Sequence, residues 1–163
     1  LCCGACPAEK QSAVRELLKT DTLLPVTLSY SIFKYEALLA DPNNFDWVMD
    51  DIAEIWGNML FQGATTFWET ANGASDFSNA GSLCHGWSSG PAAWMIEHIL
   101  GVEVIEDGCK VVKITPHLGD LEWAEGSFPT PYGDIHISHK RKADGSVASQ
   151  IDAPKGVKVI CDK

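Results

Sequence analysis

Apolar side chains recur at helical spacing over the first part of the chain. This period predicts three helices, at residues 8–19, 28–40 and 45–62. Gly63 follows the third helix, where glycine is common just beyond a helix C-terminus. A fourth helix is predicted to begin near Ser88 or Ser89, to carry Pro91 in its first turn and to end at Gly101. We therefore predict that the first part of the chain is helical.

Residues 70–86 lie between the third and fourth predicted helices and show almost no periodicity. They are rich in Gly, Ser, Asn and Ala. A stretch of this length within a compact domain is typical of an ordered loop that carries function. We therefore look for functional side chains at its two ends.

From Val102 onward the apolar period changes to two, which is typical of strands. Strands are predicted at residues 102–104, 111–114, 135–139 and 157–160, separated by Gly, Pro and Asp turns such as the one at 143–145. The predicted fold class is therefore α then β. We place the domain boundary between residues 1–101 and 102–163.

The predicted helices have strong apolar faces but few partners. These faces comprise Val48, Ile52, Ile55, Trp56 and Met59 in one helix, and Trp94, Met95 and Leu100 in another. Three or four such helices are too few for a balanced helical domain. We therefore expect the faces to pack on polypeptide that lies upstream of this sequence. We expect the isolated chain to self-associate, to fold only in its β part or to require that upstream polypeptide.

The charge pattern narrows the class of partner. The net charge is −10, and residues 1–101 contain 12 acidic and only 4 basic side chains. Nucleic acids and anionic membranes require basic patches, so neither is expected as a partner. A neutral sugar is compatible with an acidic chain that contains 6 tryptophans. The compartment is left open, with a periplasmic or extracellular location slightly favoured and any signal peptide expected upstream of Leu1.

The cysteines do not have the spacing of a metal site. Cys2, Cys3 and Cys6 are close together, but a zinc site needs a second pair of ligands at matching spacing. We interpret them as small apolar residues packed at a helix end, and we expect no metal and no cofactor. Cys109 and Cys161 could face each other across strands, either reduced or oxidised.

The segment GATTFWE, at residues 63–69, directly follows the best predicted helix. It contains Trp68 and Glu69, a pairing that suits sugar chemistry. An aromatic ring stacks on the C–H face of a pyranose, and a carboxylate attacks the anomeric carbon or activates water for that attack. The alternative is structural, with Glu69 capping the backbone or pairing with a base and Trp68 in the core.

A second candidate segment, SLCHGWSSG at residues 82–90, closes the loop and opens the fourth helix. It places His85 and Trp87 next to a helix N-terminus, and the flanking glycines allow close approach of the backbone. His85 could donate a hydrogen bond to a sugar hydroxyl, or it could be a satisfied structural histidine. If both ends of the loop pack on one rim, His85 lies near Glu69.

Three segments together, residues 63–69, 82–91 and 114–133, resemble the closing part of the α-L-rhamnosidases of glycoside hydrolase family 78. The resemblance runs over nearly the whole chain. It implies the last hairpins of a six-hairpin α/α toroid, supplied by residues 1–101, followed by a C-terminal β-sandwich domain. It also implies inverting exo-hydrolysis that releases terminal L-rhamnose from glycosides or polysaccharides.

The resemblance also implies roles for individual residues. Glu69 matches the family's general base and His85 its rhamnose-contacting histidine, with Trp68 and Trp87 as flanking wall residues. The general acid of an inverting enzyme lies about 6.5–9.5 Å from the base. In the family it is far upstream, so this chain is expected to contain half of the active site and to be inactive alone.

Two alternative sites are weaker. Asp120, Glu122 and Glu125 are interpreted as a solvated strand face rather than a catalytic pair. His136 and His139 have opposite parity on a strand and are not expected to share a metal. Two other functions for the chain remain open, a sugar-binding accessory module without catalysis and an inert structural fragment.

Overall fold

The computed structural model describes residues 1–161, and the α-then-β prediction is confirmed. The chain divides into two compact units, residues 1–91, which we call the helical unit, and residues from 92 onward, which we call the β unit. The helices are α1 (Ala8–Leu18), α2 (Ser31–Leu39), α3 (Phe45–Phe61), the short α4 (Asp76–Asn79) and α5 (Gly90–His98). Within the described residues, no helix is long and apolar enough to cross a membrane.

The helical unit is built around one buried stripe of α3. Val48, Ile52, Trp56 and Met59 recur at intervals of three or four residues and are all buried, as is Leu38 of α2. The second predicted helix begins later than expected, because residues 28–30 form a 3₁₀ turn before α2. The stripe therefore closes a core within the helical unit.

The expectation that these helix faces need partners outside the chain is wrong. The α3 stripe is buried, Ile55 is half-buried, and Trp94 and Leu100 are buried as well, while Met95 alone of the second set is exposed. The exposed apolar side chains of the helical unit are different ones, on other faces of the helices and in the connections. The most exposed of them are Leu24, Tyr30, Phe33, Leu60, Phe61 and Phe77.

The β unit contains two three-stranded sheets. One has the order β1 (Val102–Glu106), β2 (Val111–Ile114) and β6 (Lys158–Cys161), with β1 antiparallel and β6 parallel to β2. The other is an antiparallel meander of β3 (Trp123–Thr130), β4 (Gly133–Arg141) and β5 (Val147–Asp152). Strand β5 was not predicted, because most of its side chains are exposed and its apolar alternation is weak.

Both sheets contribute to one hydrophobic cluster. Val112 and Ile114 of β2 meet Ile135 and Ile137 of β4 in this cluster, and Leu100 joins them. In β4 the buried Ile135 and Ile137 alternate with exposed or half-buried residues, and in β2 the buried Val112 and Ile114 alternate with half-buried ones, so one face of each strand lies in the core. The two faces of the β3–β4–β5 sheet are therefore chemically distinct.

The two histidines of β4 lie on opposite faces, as predicted. His136 is exposed, whereas His139 is completely buried. His139 Nε2 is 3.1 Å from the Leu100 carbonyl oxygen and Nδ1 is 2.8 Å from Ser149 Oγ. Because a carbonyl only accepts, Nε2 carries a proton. His139 is a core residue with both ring nitrogens engaged by hydrogen-bond partners.

The cysteines among the described residues are all free thiols. Cys2 and Cys3 are exposed and Cys6 is half-buried, so the expectation that they pack at a helix end is wrong for Cys2 and Cys3. Cys109 is half-buried and Cys161 is exposed at the end of β6.

Candidate functional site

The two candidate segments are paired by backbone hydrogen bonds. The Glu69 amide donates to the Ser82 carbonyl at 2.9 Å, and the His85 amide donates to the Phe67 carbonyl at 2.7 Å. The Thr66 hydroxyl adds a bond to the Leu83 carbonyl. The intervening loop is therefore closed like a hairpin, and its two ends lie side by side.

Close packing inside the loop depends on glycine. Trp68 is only 7% exposed, and a Cβ on Gly73 would lie 2.5 Å from its ring. A Cβ on Gly81 would lie 2.0 Å from the Gly73 carbonyl oxygen. Gly73 also has a positive φ of 57°, which glycine adopts without strain. Trp68 thus packs the loop from within instead of presenting a surface to a substrate, and the role of wall residue does not fit its burial.

Ser88 connects the loop to α3. Its side chain is fully buried, and its hydroxyl lies 2.5 Å from the Trp68 carbonyl oxygen and 2.8 Å from the His85 carbonyl oxygen. The Ser88 carbonyl in turn accepts from Trp56 Nε1 at 2.9 Å. The sequence pattern indicated a helix cap near Ser88 or Ser89, but it could not show that the Ser88 hydroxyl binds the loop that carries the site.

Glu69 and His85 come together at the open side of this loop. Glu69 Oε2 is 3.8 Å from His85 Nδ1, and it accepts a hydrogen bond from the Ser82 amide at 3.1 Å. The side chains of Glu69 and His85 are 19% and 32% exposed, so both are reachable from solvent. No residue within 1–161 is hydrogen-bonded to the other carboxylate oxygen, Oε1.

Trp87 extends this pair into a row of three groups. Its indole stacks on the His85 ring with a centroid separation of 4.1 Å and an interplanar angle of 27°. The indole is 52% exposed, so much of its apolar surface faces solvent. A carboxylate, an imidazole and an indole therefore follow one another along one accessible edge, and such a set can bind sugar hydroxyls and a sugar C–H face together.

Comparison with known proteins gives these features a context. Residues 101–161 match the family model described as the bacterial alpha-L-rhamnosidase C-terminal domain. The whole chain also superposes on the crystal structure of a GH78 family rhamnosidase of Bacillus sp. GL1, with a TM-score of 0.86 and 33% sequence identity. That match covers 99% of this chain and 18% of the other.

Residues 101–161 are thus similar to the C-terminal domain of bacterial α-L-rhamnosidases, and the whole chain is similar in structure to part of one rhamnosidase.

Two curated relatives agree. An alpha-L-rhamnosidase of Alteromonas sp. (strain LOR) is 41% identical over 96 residues, which is 55% of this chain and 10% of the relative. An alpha-L-rhamnosidase of Formosa agariphila is 32% identical over 93 residues, which is 53% of this chain and 10% of the relative. The segment that matches each relative therefore spans about a tenth of that relative's length, and the whole chain covers 18% of the superposed rhamnosidase.

The rival acidic cluster of this rhamnosidase-related chain lies in the β unit and is solvated, as predicted. Asp120, Glu122 and Glu125 are all exposed. Arg141 binds the carbonyls of Gly119 and Leu121 next to them. Its guanidinium therefore holds the backbone of this segment, and the acids project into water.

Proposed function

We propose that this chain is the C-terminal part of an inverting exo-α-L-rhamnosidase, in which Glu69 is the general base and His85 binds the terminal rhamnose. In this proposal residues 1–101 form the last hairpins of an α/α toroid, and residues 102–163 form a β-sandwich domain. The observation that carries the proposal is the convergence of Glu69 Oε2 and His85 Nδ1 to 3.8 Å on an accessible edge. The similarity to enzymes named alpha-L-rhamnosidases supports the choice of substrate.

The surroundings of Glu69 suit a general base. Oε2 is held by the Ser82 amide and faces the His85 ring, which fixes the plane of the carboxylate. Oε1 is then the oxygen that accepts a proton from the attacking water. As the water loses this proton, it attacks the anomeric carbon on the face opposite the leaving group.

His85 and Trp87 suit substrate binding. Trp87 covers one face of the imidazole, so the His85 ring is restrained between the indole and the Glu69 carboxylate. The exposed part of Trp87 offers an apolar surface to the sugar ring. Inversion also needs a general acid about 6.5–9.5 Å from the base, and we propose that other parts of the enzyme supply it.

The proposal is tested in the complete enzyme by Glu69→Gln, with an aryl α-L-rhamnoside as substrate and NMR to record the anomer released. We expect turnover to fall by about 10²–10⁴-fold, because the near-isosteric amide cannot accept the proton. The exposed Glu122 provides the control, and Glu122→Gln should retain wild-type turnover. Wild-type turnover in Glu69→Gln, or release of the retained anomer, would show that the assignment is wrong.

A second variant separates binding from chemistry. His85→Ala should raise KM more than it lowers kcat, because it removes a contact made to the ground state as well as to the transition state. The 163-residue chain alone should release no rhamnose. Hydrolysis by that chain would place the general acid within it and contradict the proposed division of the site.

A further inference from the structure

The solvent-facing side of the β3–β4–β5 sheet, which we call the outer face, carries several polar side chains close together. Strand pairing places Ser127 opposite His136 and His136 opposite Asp152, so these side chains form one row across three strands. A groove of about 540 Å³ lies over this row and is also lined by Glu125 and Gln150. The outer face therefore combines a groove with closely spaced polar groups.

An exposed indole lies on the same face of the sheet as the groove, outside the residues that line it. Trp123 shares strand parity with Glu125 and Ser127, so it projects from the outer face, and it is 59% exposed. At about 3.4 Å per residue, Trp123 is about 14 Å from Ser127 along β3. The distance suits a short oligosaccharide that stacks on the indole and continues over the polar row.

We propose that the outer face binds a neutral oligosaccharide, at a site separate from Glu69 and His85. The indole of Trp123 stacks on the C–H face of one sugar. The side chains of Glu125, Gln150 and Asp152 accept hydrogen bonds from hydroxyls, and Gln150 also donates. This inference does not rest on the role proposed for Glu69.

The hydrogen bond within the row orients its histidine. His136 Nδ1 is 2.8 Å from Ser127 Oγ. With Nδ1 engaged by the hydroxyl, Nε2 is the ring nitrogen left for a ligand. The row thus has an ordered imidazole at its centre, flanked by strands that carry carboxylate and amide groups.

Charge and desolvation identify the class of occupant. Glu125 and Asp152 make the groove acidic, so phosphates, sulfated glycans and nucleic acids are disfavoured. A dry protein surface would leave these carboxylates buried without hydrogen-bond partners, which disfavours such a partner. Sugar hydroxyls satisfy the same groups with hydrogen bonds, and the apolar face of a sugar covers the indole.

The test uses the full chain and measures changes in its NMR spectrum on titration with cellotriose or galactan oligosaccharides. Dextran sulfate serves as the anionic probe. We expect at least one neutral probe to bind, and Trp123→Ala to weaken that binding by about tenfold or more through loss of the stacking surface. Gln150→Ala should also weaken the binding. If Trp123→Ala does not fold, Gln150→Ala tests the same face.

Two matched variants locate the binding. Tyr132→Ala removes another exposed aromatic ring of the β unit and should leave the affinity unchanged. Glu69→Gln should also leave it unchanged, which separates this inference from the proposed catalytic role. The inference is overturned if no neutral probe binds, if only dextran sulfate binds, or if Trp123→Ala and Gln150→Ala bind like the wild type.

Discussion

The helical unit and the β unit differ in how completely they cover their apolar side chains. In the helical unit Phe61 is 95% exposed, Leu24 94% and Leu60 70%, although α3 is well buried along one stripe. Among the described residues of the β unit, the most exposed large apolar side chain is Trp123, at 59%. Both units have a core, but only the helical unit presents almost fully exposed phenylalanine and leucine side chains.

This difference teaches that a buried stripe on a helix does not complete a helical domain. Covering one Leu or Phe side chain contributes about 1.5–3 kcal/mol, so the exposed set favours association with further polypeptide. The most exposed of these side chains lie at the end of α3 and in a connection between helices, beside a stripe that is itself buried. In the β unit, buried side chains from both sheets belong to one shared cluster.

The largest expected effect comes from truncating each core. Leu38→Ala in the helical unit and Ile135→Ala in the β unit remove fully buried side chains. Each should lower the free energy of unfolding of its own unit by about 2–5 kcal/mol. Hydrogen exchange followed by mass spectrometry resolves the two units. A loss below about 1 kcal/mol for Leu38→Ala would mean that the helical unit has no independent core.

A smaller effect is expected from the hydroxyl that ties the loop to α3. Ser88→Ala removes the single hydroxyl proton that is shared between the carbonyls of Trp68 and His85, which should cost about 1–3 kcal/mol. Ser89→Ala is the matched control, since that hydroxyl binds the Gly86 carbonyl locally. Thermal unfolding measures both variants. Equal stability of the two would show that Ser88 does not hold the loop.

Tyr35 makes the free energy of unfolding of the helical unit fall as the pH rises in the alkaline range. Burial, together with the hydrogen bond and negative charge of Asp51, raises the pKa of Tyr35 well above its ordinary value. The raised pKa therefore contributes fully to the free energy of unfolding below about pH 10, which is the pKa of tyrosine in the unfolded chain. As the pH rises above about 10, this contribution falls by about 1.4 kcal/mol per pH unit.

This pH dependence can be measured by denaturant unfolding between neutral and strongly alkaline pH. Tyr35→Phe should lose stability at neutral pH and show a flatter decline above pH 10, because the group that titrates is gone. Tyr132→Phe changes an exposed tyrosine of the β unit and should keep the wild-type slope. An unchanged slope in Tyr35→Phe would contradict the assignment.

The smallest effect on stability is expected at the exposed apolar side chains. Phe61→Ser should change the free energy of unfolding by less than about 0.5 kcal/mol, because the ring is already in water. Sedimentation should nevertheless show less self-association of the isolated chain. Leu121→Ser, at an exposed leucine of the β unit, is the control and should leave association unchanged. If Leu121→Ser lowered self-association and Phe61→Ser did not, the associating surface would lie in the β unit.

The sequence alone determined the class of most helices and strands and, in α3, the face that is buried. Helical spacing located α1, α2, α3 and α5 to within a few residues, and alternate spacing located β1, β2, β4 and β6. Parity also separated His136 from His139. These predictions hold because backbone geometry sets the period of side-chain direction, whatever the element packs against.

The tertiary structure decided which elements meet. Strand β6 pairs in parallel with β2, a partner far away along the chain, and β5 joins β4 although its own pattern is weak. Within the loop, Glu69 was found beside His85 as the motifs indicated, but only the structure shows that Trp68 is buried and that Ser88 holds the loop. Local spacing records which side chains share a face, whereas burial and partners depend on contacts between residues distant in sequence.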